Sequence, residues 1–121
     1  MKVLNINRVS EQPMDVPLMT GGPVTRQSLF NQQNAKSMYI SQINFSKGAR
    51  NKFHSHTEEQ LLIVTAGKGI VATEQEEAVV TVGDVILFPA GEKHWHGATK
   101  DSAFSHYAIS LISNQTTQLE D

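Results

Sequence analysis

Gly48-Ala-Arg-Asn-Lys-Phe-His54-Ser-His56-Thr-Glu-Glu-Gln60-Leu-Leu-Ile-Val-Thr-Ala-Gly67 is the stretch from which the rest of this chain is read. His54 and His56 are two residues apart, so on an extended strand both rings point to one face. Imidazole is the commonest protein ligand for metals near neutral pH, and two rings on one face make half of a coordination shell. The other half must come from elsewhere. The candidates are Gln60, four residues on, and His94 in Pro89-Ala-Gly91-Glu-Lys-His94-Trp95-His96.

Outward from this stretch the chain reads as all-β. Met38–Phe45, Leu61–Ala66, Ile70–Glu74, Ala78–Val82, Asp84–Phe88 and Ala103–Ile112 are short segments rich in Val, Ile, Leu, Phe, Tyr and Thr. Lys47-Gly48, Gly67-Lys68-Gly69, Gly83-Asp84 and Pro89-Ala90-Gly91 separate them as turns. Many short strands at regular turn spacing predict a sandwich or barrel, and no window of helical length carries a sustained 3.6-residue apolar period. Residues 1–35, rich in Asn, Gln, Pro and Gly, read as an arm with short strands near Lys2–Ile6 and Val24–Phe30. Residues 36–112 read as the barrel, and residues 113–121 as a polar, frayed C-terminal tail.

Composition excludes several functions. With 121 residues, 39% hydrophobic and 18% charged, the chain is expected to be a single soluble domain with a real core. A formal net charge of −2 gives no electrostatic case for nucleic acid or an anionic membrane. The absence of cysteine removes disulfides, thiolate zinc sites and thiol nucleophiles. No apolar run approaches the length of a membrane span, and Met1–Ser10 lacks the pattern of a secretory signal, so a cytoplasmic location is expected.

Two motifs carry a family resemblance. Cupins have a first motif G-x5-H-x-H-x3-E-x6-G and a second G-x5-P-x-G-x2-H-x3-N. The stretch Gly48–Gly67 keeps every interval of the first, with Gln60 in the acidic place. Gly83-Asp-Val-Ile-Leu-Phe-Pro89-Ala-Gly91-Glu-Lys-His94-Trp-His96-Gly-Ala98 keeps every interval of the second, with Ala98 replacing its asparagine. Over about residues 36–112 the chain therefore resembles a cupin, which implies a double-stranded β-helix, or jelly-roll barrel, in one domain. The implied metal set is His54, His56, Gln60 and His94. Mn2+ or Fe2+ suits such mixed N/O ligands best, with Zn2+, Ni2+ or Co2+ as further options. An amide in place of a carboxylate leaves a divalent ion uncompensated and more Lewis-acidic. Loss of the metal is the competing explanation of Gln60, and Glu58 and Glu59 are nearby carboxylates that do not satisfy the spacing.

His96 has the strand parity of His94, and His106 shares a face with Phe104, Ala108 and Ser110. A lone histidine on such a face is by default a hydrogen-bonded core residue. Five in or beside one cavity make His106 and His96 candidate general bases. Tyr39, Ser41, Ile43 and Phe45 alternate with outward residues and are expected to face in, with Phe45 an ordinary core residue. Ser41, Ile43 and Ser110 are the expected substrate-pocket residues, a wall suited to a small, partly hydrophobic or aromatic molecule.

The Gln60 variant and the run from Gly91 to Thr99 resemble the small bacterial single-domain cupins that include manganese-dependent (R)-selective hydroxynitrile lyases, relatives often grouped with carboxymuconolactone decarboxylases. That resemblance implies cleavage and formation of a carbon–carbon bond between an aldehyde and cyanide. Two rivals stay open: an Fe- or Mn-dependent dioxygenase acting on a small phenol or diketone, and a non-enzymatic barrel that binds a small ligand. The family also implies a homodimer or higher homo-oligomer, for which Val24–Phe30 and an outward-facing Ile109 and Leu111 would serve.

Overall fold

In the computed structural model, which describes residues 1–121, twelve strands form one curled antiparallel sheet. They are β1 (Gln12–Pro13), β2 (Met19–Thr20), β3 (Val24–Phe30), β4 (Met38–Phe45), β5 (Arg50–Asn51) and β6 (His54–His56), followed by β7 (Gln60–Thr73), β8 (Glu77–Thr81), β9 (Val85–Phe88), β10 (His94–Ala98), β11 (Phe104–Leu111) and β12 (Thr116–Gln118). One wall runs β1-β3-β4-β11-β7-β9. The other runs β8-β7-β10, continuing into β5 and β2 at one end and into β6 and β12 at the other. The two walls share β7.

That sharing corrects the sequence reading. Leu61–Ala66 and Ile70–Glu74 are not two strands about a turn; they are halves of the fourteen-residue β7. Its first half pairs with β11 and β9, its second with β10 and β8. The glycines let one strand pass between walls. Gly67 has φ +72°, open to glycine at little cost, and a Cβ there would lie 1.8 Å from the Ala103 carbonyl oxygen. Gly69 lies against the Phe104 ring, where a Cβ would meet ring carbon at 2.5 Å.

The N-terminal reading needs a second correction. No strand forms over Lys2–Ile6; Ile6–Arg8 is a single 3-10 turn, whose start Asn5 caps through its side chain. The Gln27 amide ties that turn to β3, donating to the carbonyls of Ile6 and Val9. Val24–Phe30 is a strand as expected. A third correction concerns the tail, which is not frayed. β12 pairs with β6, the Leu119 amide donates to the Phe53 carbonyl, and Glu120 forms an ion pair with Arg50 at 2.6 Å.

Alternation along β4 and β11 divides the interior from the outside. Ser41, Ile43 and Phe45, with Phe104, His106 and Ala108, are buried. On the outer face, Gln42 and Asn44 join Thr25, Gln27, Thr65 and Ser105 in a hydrogen-bonded ladder. The apolar core gathers Val24, Phe45, Leu62, Val64, Val71, Phe88 and Phe104. Trp95 is buried on the opposite side of β10 from His94 and His96, beneath the Arg50 guanidinium at 4.2 Å.

Candidate metal centre

Local strand geometry aims the histidines. β6 holds His54 and His56 on one face, and β10 lies beside it in the register His94↔His54. The turn through Gly91 (φ +81°) brings His94 to the start of β10, with the Gly91 amide donating to the His56 carbonyl. One ring nitrogen from each of His54, His56 and His94 then lies within 4.8 Å of the others. All three residues are buried. Phe88 stacks on His94, ring centroids 3.8 Å apart.

The hydrogen bonds behind these rings fix which nitrogen faces inward. His54 Nδ1 donates to the Lys52 carbonyl at 2.6 Å, and His94 Nδ1 to the Glu92 carbonyl at 2.8 Å. His56 Nδ1 lies 2.9 Å from Thr116 Oγ1 and 3.2 Å from the Asn114 amide nitrogen, and Asn114 is in turn held by the Glu58 amide. Such outer partners set the tautomer and orientation of a ligating ring. The inner nitrogens of His54 and His94 are left as lone pairs, as is that of His56 when its Nδ1 donates to Thr116 Oγ1. His56 Nε2 is buried with no hydrogen-bond partner, and His94 Nε2 faces Gln60 Oε1 at 3.4 Å, one acceptor opposite another. A cluster of acceptors with no hydrogen between them fits a cation, so this donor set could hold a metal ion.

Electrostatics agree with neutral rings. Burial lowers the pKa of His56 to about 4, with the charge of His54 adding to the effect. Burial also lowers His94 to about 3 and pushes His54 down. Neutral imidazole is the ligating form, so these rings need lose no proton to take a metal at pH 7.

Beside the cluster lies a second pair. His96 Nδ1 and His106 Nε2 are 3.0 Å apart, both rings buried. Burial depresses both, His106 to about 4 and His96 well below its ordinary value, the latter further lowered by the charge of His106. Phe45 packs against both rings, its centroid 5.9 Å from His96 and 5.6 Å from His106.

A cavity of about 340 Å3 connects these groups, lined by His54, His56, Gln60, His96 and His106 and by the expected Ser41, Ile43 and Ser110. His94 is fully buried and does not itself line the cavity, but its Nε2 meets Gln60 Oε1, which does. Leu111 is exposed, as expected, and also lines the mouth of the cavity at the end of β11. The sequence reading missed several residues. Asn51 accepts the His96 backbone N–H at 2.8 Å, and its amide nitrogen lies 3.2 Å from the His96 ring. Met14, Leu18 and Met19 bring the N-terminal segment to the cavity, and Asn114 and Thr116 bring the tail. These residues carry no local signal, because their places depend on neighbours far along the chain.

Comparison with known proteins agrees with this architecture. Residues 41–110 match the cupin domain family. An (R)-mandelonitrile lyase of Granulicella tundricola is 41% identical over 90 residues, covering 73% of this chain and 68% of that protein. A cupin-like protein from Thermotoga maritima superposes with a TM-score of 0.82 at 29% identity, over 100% of this chain and 90% of that one. The polyketide cyclase RemF of Streptomyces resistomycificus shares the fold alone, with a TM-score of 0.88 at 16% identity, over 98% of this chain and 85% of that one. A single curled β-sheet, a three-histidine cluster inside it and a family match spanning most of the barrel lead to one assignment: this chain belongs to the cupin family.

Proposed function

We propose that this chain is a metal-dependent carbon–carbon lyase of the hydroxynitrile lyase type, acting on small or aromatic cyanohydrins and aldehydes. The observation that carries the reading is the His96–His106 pair, 3.0 Å apart, in the same cavity as His54, His56 and Gln60. The 41% identity to an (R)-mandelonitrile lyase supports it. His54, His56, Gln60 and His94 would hold the ion, Mn2+ or Fe2+ by preference for mixed nitrogen and oxygen donors. A divalent ion there supplies Lewis acidity that lowers the pKa of a substrate hydroxyl, the more so because all four donors are neutral.

The chain's own groups do the rest. Ile43 and Ala108 present apolar surface to the substrate's hydrocarbon part, and Ser41 and Ser110 offer hydroxyls. His106, or His96 through it, takes the hydroxyl proton. The O–H electron pair becomes the carbonyl bond, and the pair of the breaking C–C bond leaves with cyanide. Because burial makes the resulting imidazolium a far stronger acid than HCN, it returns the proton to cyanide, releasing HCN and restoring the neutral pair. Asn51 holds His96 in place through the cycle.

The test is metal analysis of the purified protein together with a mandelonitrile cleavage assay run with and without oxygen. The lyase reading expects a bound first-row divalent ion and equal release of benzaldehyde and cyanide in both atmospheres. Turnover that requires oxygen would replace it with the dioxygenase reading. Absence of metal at these residues would sink both.

A further inference from the structure

The wall opposite the metal cluster carries a charge that the lyase reading leaves unused. Arg26 lines the cavity and is the only residue of that lining with a fixed charge. The ion pairs of the structure are Arg50–Glu120, Lys68–Asp101 and Lys93–Glu74, so Arg26 has no carboxylate partner. Arg26 Nη1 donates to Tyr39 Oη at 3.1 Å, and Tyr39 lines the same cavity. A phenol that accepts from a guanidinium keeps its own hydrogen to donate. The pair therefore presents donors only: the remaining guanidinium N–H groups and one O–H. What it lacks is an anionic acceptor.

Strand register fixes where that acceptor would sit. Arg26 pairs with Ile43, and Ile43 pairs with His106, so the three stand in one row across β3, β4 and β11. Gln27 points to the outer ladder, which leaves Arg26 on the inner face. Two strand spacings, roughly 9–10 Å between backbones, separate Arg26 from His106. A ligand with one end among the histidines can reach the guanidinium with the other across one aromatic ring or a few carbons.

We infer that Arg26 and Tyr39 form a carboxylate anchor, and that the ligands of this cavity are small aldehydes or hydroxy compounds carrying a carboxylate distal to the reacting carbon. The inference deepens the lyase reading and rests on it for the aldehyde end of the ligand. A guanidinium meets a carboxylate through two parallel N–H bonds, and the Tyr39 hydroxyl adds a third donor. Because Arg26 is solvent-exposed, the contribution is modest and sensitive to salt.

The experiment is calorimetric titration of the purified, metal-containing protein with 4-formylbenzoate and, separately, with its methyl ester. The wild type should prefer the carboxylate about two- to fivefold at low ionic strength, the upper part of the range expected of an exposed ion pair. The preference should fall toward unity in Arg26→Gln and in high salt, and persist in part in Arg26→Lys. Equal binding of acid and ester by the wild type would overturn the anchor. So would a preference that survives Arg26→Gln, which would place the carboxylate elsewhere. Cyanide release from mandelonitrile, measured on the same preparation, keeps the two readings apart. A preference without lyase turnover refutes the lyase and leaves the anchor standing, and turnover without preference does the reverse.

Discussion

Acid should destabilise the metal-free protein as pH falls below about 6.5, and His106 shows by how much. Its ring is fully buried, and burial lowers its pKa from the ordinary 6.5 to about 4. The unfolded chain takes up a proton as pH falls through 6.5, whereas the folded chain resists until about 4. Stability is therefore complete above 6.5 and drains away as pH falls toward 4. Between about pH 7.5 and about pH 5 this one residue removes about 2 kcal/mol. His54, His56, His94 and His96 are shifted in the same direction and add to the loss. A chain of this size has a total stability of order 10 kcal/mol, so the combined effect is large. The assay is urea unfolding of EDTA-treated protein, followed by the fluorescence of the single tryptophan, buried Trp95. The midpoint should fall by about 1 M or more over that pH range, given about 2 kcal/mol per M of urea. His106→Leu cannot titrate and should flatten the pH dependence by up to about 1.4 kcal/mol per pH unit. An unchanged midpoint from pH 7.5 to 5, or an undiminished slope in His106→Leu, would refute the assignment of burial as the dominant cause.

Three further outcomes follow from the same geometry. Gln60→Glu places a carboxylate 3.4 Å from His94 Nε2 and should tighten metal retention against a chelator while lowering lyase kcat at least about tenfold; equal kcat would contradict the argument from an uncompensated ion. Thr116→Val removes the oxygen beside His56 Nδ1 and should weaken metal affinity by about 10- to 100-fold, as read by competition with a chromophoric chelator. Gly67→Ala should cost about 2–4 kcal/mol in urea unfolding, since its Cβ meets the Ala103 carbonyl, whereas Gly48→Ala, with similar φ and open space, should cost about 1 kcal/mol. Similar costs at the two positions would mean that backbone conformation, not the close approach, decides.

The sequence by itself determined the all-β class, the parity that sends His54 and His56 to one face, and the barrel that brings His94 to them. Its alternation also placed Ser41, Ile43, His106 and Ser110 on the cavity. These are statements about neighbours two residues apart and about motif intervals, and strand periodicity carries them directly. It misjudged Gly67-Lys68-Gly69, because glycine marks a turn and a strand changing walls alike, and only the pairing partners of β7 separate the two. It also took the polar tail for a frayed end. Polar composition does not reveal that Thr116 lies sixty positions from His56 in sequence yet 2.9 Å from its ring. The chemistry that tertiary structure alone decided has the same origin. Asn51 reaches His96, His96 meets His106, and Arg26 stands in the row of His106 because strands distant along the chain lie side by side. Three histidines and a glutamine could be read from their spacing. The partners that orient them, and the cation facing them across the cavity, exist only once the sheet has closed.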